Sequence, residues 1–77
     1  MDDPQMMNNI NRLVYMANQI ARNFTALGTE EAIAATAQHI RDFWDPRMKA
    51  QIRSVNETDG DALSPIAHAA IALLRKA

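Results

Sequence analysis

The sequence contains no cysteine, only two glycines and only four aromatic residues. Without cysteine, the chain can form no disulfide bond, no thiolate zinc site and no cysteine nucleophile. The two glycines stand far apart, so they supply neither the turns of a hairpin-rich β fold nor a glycine-rich phosphate loop. A length of 77 residues accommodates one domain. We therefore expect residues 1–77 to form a single domain that is not built from strands.

The chain also lacks a basic excess and a long apolar run. Eight Lys and Arg against nine Asp and Glu give a net charge of -1, whereas free-standing nucleic-acid-binding proteins usually carry a positive excess. The longest apolar run is too short to cross a bilayer. The first residues, Met1 to Pro4, are acidic where a secretory signal would be basic. The expectation is a cytoplasmic protein that binds neither a membrane nor nucleic acid.

Alanine is abundant, with 14 residues, and it favours helices. Each of the three prolines follows a residue that can cap a helix, at Asp3-Pro4, Asp45-Pro46 and Ser64-Pro65. Proline at the first helical position loses no hydrogen bond, and the oxygen of the preceding side chain can accept one from a later amide. The three pairs therefore predict three helix starts.

Thr29 is predicted to cap the start of a fourth helix, and Gly28 is predicted to end the helix before it. Apolar residues recur every three or four positions in each segment, which supports these boundaries. The segment Asn56–Asp61 is predicted to be a mobile loop. The sequence therefore predicts an all-α fold, a small four-helix domain with helices at about 4–26, 30–44, 46–56 and 65–76. The wide apolar faces of its first and last helices favour a partner surface, unless the helices cover one another fully.

No group of residues matches a pattern typical of catalysis or of metal binding. Ser64 has a structural role as a cap, and two histidines on different helices, His39 and His68, make a poor zinc site without cysteine. His39 and Asp42 are spaced to pair with each other along one helix. The one stretch that resembles a calcium loop lacks the glutamate required at its last position. We expect no catalytic, cofactor-binding or metal-binding residues in this chain.

The most informative stretch surrounds Asp45-Pro46, where one helix is predicted to end and the next to begin at once. Phe43 and Trp44 point in neighbouring directions, so we expect Trp44 to be partly buried and Phe43 or Arg47 to face a partner. Tryptophan and arginine are frequent anchors of protein interfaces. The candidate docking residues are Phe43, Trp44, Arg47 and Met48. In the alternative reading, Trp44 anchors the core and Arg47 pairs with Asp42 or Asp45.

Three strings of the sequence resemble a known family. Met16–Ala21 reads MANQIA, His39–Arg41 reads HIR, and Phe43–Met48 reads FWDPRM. Together they resemble the delta subunit of NAD-dependent formate dehydrogenase. The resemblance extends over roughly residues 8–76, includes the Ser64-Pro65 pair before the last helix, and is most specific in the FWDPRM string.

The resemblance implies a small non-catalytic accessory subunit of a soluble, cytoplasmic formate dehydrogenase that contains molybdenum or tungsten. In that family the large subunits carry molybdopterin, iron–sulfur clusters and FMN, which implies that this chain holds no cofactor. A role in assembly or quaternary stability follows, exercised by docking on the large subunits and in the first place on the catalytic alpha subunit.

Two other functions stay open on the sequence alone. A basic region is formed by Arg41, Arg47, Lys49 and Arg53. It would suit a nucleic-acid-binding helical module or an acidic protein surface. The even apolar stripe of the long first helix would also permit the isolated chain to form a homodimer.

Overall fold

The computed structural model describes residues 9–74, and these form four α-helices joined by short connections. The helices are α1 (Asn9–Phe24), α2 (Thr29–Phe43), α3 (Pro46–Thr58) and α4 (Pro65–Leu74). Turns of 3-10 helix follow α1 at Thr25–Leu27 and precede α4 at Gly60–Ala62. The described residues contain no strand, so the predicted all-α, four-helix fold is confirmed. The predicted cap at Asp3-Pro4 and the predicted end of the last helix lie outside the described residues.

Two of the helix starts are capped by side chains. An oxygen of the Asp45 carboxylate accepts a hydrogen bond from the Met48 amide at 2.8 Å, and Pro46 is the first residue of α3. Ser64 Oγ accepts from the Ala67 amide at 3.2 Å. In both cases the side chain satisfies an amide that has no partner within its helix.

The predicted cap at Thr29 is wrong. Thr29 is the first residue of α2, and the capping position is Gly28, which has no side chain to accept a hydrogen bond. Gly28 has a φ of 97°, a backbone conformation that other residues adopt only with strain. It therefore ends the first helical segment, as predicted, and also begins the next.

The predicted loop at Asn56–Asp61 is also wrong. α3 continues to Thr58, whose hydroxyl donates to the Ser54 carbonyl at 2.9 Å, and a 3-10 turn then follows at Gly60–Ala62. The Asn56 side chain bridges to α4 by donating to the His68 carbonyl at 3.3 Å. The Asn56–His68 hydrogen bond joins α3 to α4, so helical spacing within one segment could not predict it.

The core lies where all four helices meet, and its largest helix–helix contacts are those of α2 with α4 and with α1. Alanines are fully buried on all three of these helices, and their small side chains allow the backbones to approach closely. The buried apolar residues are Leu13, Ala17, Ala21, Ala32, Ala37, Ile40, Trp44, Ile52, Val55, Leu63, Ala67, Ala70, Ile71 and Leu74. The core is thus assembled from single faces of each helix rather than from one dominant element.

One buried polar group lies within this core. Thr36 on α2 is fully buried, and its hydroxyl forms no hydrogen bond in the part of the chain that the structure describes. We expect Thr36→Val, which keeps the branched shape and removes the hydroxyl, to raise the free energy of unfolding by about 1 kcal/mol. Urea denaturation followed by circular dichroism measures this change.

The control for Thr36→Val is Thr36→Ser, which keeps the hydroxyl and removes the methyl group. It should lower the free energy of unfolding by about 1 kcal/mol because apolar contacts are lost while the polar cost remains. A destabilising effect of Thr36→Val would mean that the hydroxyl is satisfied in the folded protein.

Candidate docking surface

The corner between α2 and α3 is built around Trp44. The Trp44 amide still donates to the Ile40 carbonyl at 3.0 Å, but its φ of -93° and ψ of 141° are extended. This change of backbone direction ends α2, and the Trp44 side chain is only 5 % exposed. Trp44 is therefore buried, not partly buried as expected, and it anchors the core as in the alternative interpretation. A side chain this deep presents almost no surface to another protein.

Phe43, the residue before Trp44, is 73 % exposed, more than any other large apolar side chain between residues 9 and 74. Its ring contacts the ring of His39 one helical turn earlier, with centroids 4.8 Å apart. The predicted pairing of His39 with Asp42 is wrong. The Asp42 carboxylate instead accepts from the Gln38 side chain, with both oxygens 2.9 Å from Nε2.

Arg47 is exposed in the first turn of α3 and forms no ion pair with Asp42 or Asp45. The Asp42 carboxylate accepts from the Gln38 side chain, and one oxygen of the Asp45 carboxylate accepts from the Met48 amide. The alternative in which Arg47 pairs locally is therefore wrong, and its guanidinium faces solvent. Met48, the next residue, is half-buried and packs against the core.

The basic region does not present all of its charges equally. Lys49 Nζ donates to the Arg41 carbonyl at 2.8 Å, which satisfies a carbonyl in the last turn of α2. Lys49 and Arg53 are half-buried, whereas Arg41 and Arg47 are exposed. Lys49 thus has a structural role at the corner, in addition to its charge.

A shallow groove of about 310 Å³ runs between α1 and α3 beside this corner. Its walls combine two arginines with two methionines and two amides. The lining residues are Asn9, Arg12, Leu13, Met16, Arg47, Met48 and Gln51. Arg47 and Met48 are among the predicted docking residues, whereas no residue of α1 is. No local signal identifies it, because the groove exists only when two helices distant in sequence pack together.

A larger groove of about 810 Å³ lies between α1 and the connection that leads into α4. It surrounds the Asn18 side chain, whose Nδ2 donates to the Ala62 carbonyl at 3.1 Å and whose Oδ1 accepts from the Ser64 amide at 2.8 Å. Both polar ends of Asn18 are therefore used to fasten α1 to this connection. The middle of the MANQIA string has a structural explanation.

His68 is likewise engaged in structure. Its Nδ1 is hydrogen-bonded to Asn56 Oδ1, and its ring lies so close to Gly60 that a Cβ there would be 2.9 Å from a ring carbon. Across residues 9–74, no three His, Asp or Glu side chains are grouped so that they could hold a metal ion. In the same range, none of the helices combines the length and apolar character needed to cross a bilayer.

The fold and its surface define a small all-α protein with four helices and an exposed aromatic side chain at a proline corner. Comparison with protein families identifies the family of the chain. The chain belongs to the family described as NADH-dependent formate dehydrogenase delta subunit, FdsD, whose model matches residues 12–71. Comparisons with curated proteins and with solved structures gave no significant match. The matched range contains all three strings on which the sequence resemblance depends.

Proposed function

We propose that this chain is a non-catalytic accessory subunit that docks on the large subunits of a cytoplasmic, NAD-dependent formate dehydrogenase. Its role is assembly or quaternary stabilisation of that enzyme, and the catalytic alpha subunit is the first partner to test. Molybdopterin with molybdenum or tungsten, iron–sulfur clusters and FMN belong to the other subunits in this proposal. Membership in the delta-subunit family supports it.

The observation that carries the docking proposal is the contrast between two neighbouring aromatic residues. Trp44 is buried and stabilises the fold, whereas Phe43 leaves most of its ring in water. Burying a phenylalanine side chain contributes about 1.5–3 kcal/mol of stabilisation. A small domain with little core forgoes this stabilisation when it leaves a phenylalanine exposed to water. A partner that covers Phe43 would gain this free energy instead.

Phe43→Ser is expected to weaken binding to the large subunits by about tenfold to 100-fold, the equivalent of that lost burial. The measurement is the affinity of the full chain for formate dehydrogenase purified from a strain that lacks this chain. The isolated variant should keep the melting temperature of the parent, because surface substitutions of this kind change stability by about 0.5 kcal/mol or less.

Leu27→Ser is the matched control for Phe43→Ser. Leu27 is 53 % exposed and lies beyond the opposite end of α2, which separates the two sites by about 20 Å. Leu27→Ser should bind like the parent chain. Equal binding by Phe43→Ser and the parent would exclude Phe43 from the interface, and no binding by the parent would overturn the proposed function itself.

Removing this chain from the enzyme distinguishes a role during assembly from a lasting role in the quaternary structure. If the chain stabilises the quaternary structure, enzyme produced without it should lose subunits on gel filtration, and added chain should restore its size. If it acts only during assembly, the finished enzyme should keep its size and activity after this chain is removed.

A further inference from the structure

The groove between α1 and α3 contains two positive charges and no negative one. Arg12 on α1 and Arg47 on α3 are both exposed, and none of the seven residues that line the groove is acidic. Neither arginine forms an ion pair within the described residues, and this includes Asp42 and Asp45, the acidic residues nearest to Arg47 in sequence. Two guanidinium groups on opposite walls are therefore open to carboxylates from outside the chain.

This local positive charge stands out because the chain as a whole carries a net charge of -1. α1 carries two arginines and no acidic residue along its whole described length. The acidic residues within 9–74 lie elsewhere in the sequence, at Glu30, Glu31, Asp42, Asp45, Glu57, Asp59 and Asp61. The groove is thus a positive site on a protein that is otherwise slightly negative, and such a site selects for negative partners.

The floor of the groove is apolar and adaptable. Met16 and Met48 are half-buried on either side, and Leu13 lies buried beneath them. Methionine side chains are flexible and polarisable, so they accommodate apolar groups of different shapes. The amides of Asn9 and Gln51 at the rim can both donate and accept hydrogen bonds, which suits a peptide backbone.

These features favour a peptide over a nucleic acid. A phosphate backbone needs a series of cations, whereas the groove offers two, separated by an apolar floor. Its volume of about 310 Å³ accommodates one or two side chains rather than a folded domain. The matching ligand is an extended segment with carboxylates at either side of one aliphatic or methionine side chain.

We propose that this groove receives an acidic segment of a large subunit of the formate dehydrogenase. Its carboxylates pair with Arg12 and Arg47, and one apolar side chain packs on Met16 and Met48. The proposal rests on the proposed function, since it names the part of the partner that the delta subunit would recognise. It adds α1 to a docking surface that otherwise comprises the α2–α3 corner.

The test compares two charge reversals on the same helix. Arg12→Glu alters the groove, and Arg22→Glu makes the same change about 15 Å further along α1. Salt largely screens the interaction between surface charges at that distance, so Arg22→Glu should not affect the groove. Binding to formate dehydrogenase purified without this chain is measured at 50 and 300 mM NaCl. Arg12→Glu should bind at least tenfold more weakly than the parent, and Arg22→Glu within threefold of it. The parent should also lose affinity with salt, and Arg12→Glu should lose much less.

The outcomes distinguish this proposal from the function on which it rests. If Arg12→Glu binds as tightly as Arg22→Glu while Phe43→Ser still binds weakly, the groove proposal is overturned and the docking function stands. If the parent chain itself does not bind, both fail. If the isolated parent self-associates and Arg12→Glu abolishes this, the occupant is the acidic surface of a second copy, and the proposed segment of the enzyme is excluded.

Discussion

Trp44→Ala is expected to be the most destabilising single substitution at the α2–α3 corner, lowering the free energy of unfolding by about 3–5 kcal/mol. The Trp44 side chain is 5 % exposed and belongs to the same buried cluster as Ile40 and Ile52. Its removal leaves a cavity among the other buried side chains of this cluster, which can relax only partly to fill it. Because domains of this size have little stability in reserve, a large fraction of the variant should be unfolded at 25 °C.

Circular dichroism during urea denaturation measures this loss, and Trp44 supplies a second probe because it is the only tryptophan in the chain. Its fluorescence in the parent protein should be blue-shifted and poorly quenched by acrylamide. Trp44→Phe, which keeps an aromatic ring in the core, should lose less stability than Trp44→Ala. Parent-like unfolding of Trp44→Ala would mean that this side chain is not part of the core, and would return it to the candidate docking residues.

The different exposure of Trp44 and Phe43 could not be predicted from the sequence pattern. Both follow the helical spacing of α2, and the apolar pattern assigned Trp44 to the inner face. The depth of its burial depends on the extended backbone at Trp44, which is a consequence of the Asp45-Pro46 corner. Helical spacing predicts directions only while the helix continues, so the pattern could not set the exposure of residues at its end.

Helix starts were predicted well where the signal is local. Asp45 and Ser64 each accept a hydrogen bond from an amide three residues later, so each cap can be predicted from a short segment of sequence. The start of α2 was harder, because a threonine and a glycine stand side by side and either residue can occupy a capping position. Gly28 takes it because its φ of 97° suits a residue without a Cβ.

The family strings combine residues of two kinds. In FWDPRM, Trp44 fills the core, Asp45 caps α3 and Pro46 begins it, whereas Phe43 and Arg47 face solvent. The first three explain why this segment folds as it does, whereas the only fold contact of the last two that the described residues show is that of the Phe43 ring with His39. Phe43 and Arg47 are therefore the residues of this string that the fold does not explain, and both belong to the candidate docking surface. The family model includes the string.

In the MANQIA string, in contrast, three of the six residues have a clear role in the fold. Ala17 and Ala21 are fully buried against neighbouring helices, and Asn18 lies between them at the edge of the core. Asn18 bonds the carbonyl of Ala62 and the amide of Ser64, which brings the start of α4 against α1. Because both the amide nitrogen and the amide oxygen of Asn18 are engaged, an apolar replacement loses both hydrogen bonds.

Asn18→Leu is expected to lower the free energy of unfolding by about 2 kcal/mol. It removes both hydrogen bonds and leaves the partly buried Ser64 amide without a partner, which costs about 1–3 kcal/mol. Leucine is the better helix former by a few tenths of a kcal/mol, so the measured loss understates the contribution of the two bonds. Urea denaturation measures the total, and hydrogen exchange at the Ser64 amide should become faster than in the parent.

Two controls separate these hydrogen bonds from the change in polarity. Gln19→Leu replaces the exposed amide next in sequence and should change stability by about 0.5 kcal/mol or less. Asn18→Asp keeps the acceptor for the Ser64 amide and loses the donor to Ala62, so its loss should be smaller than that of Asn18→Leu. A negative charge beside the start of α4 also interacts favourably with the helix dipole. If Asn18→Leu and Gln19→Leu were equally stable, α4 would be held against α1 by apolar packing alone, and Asn18 would be free to contact a partner through the larger groove.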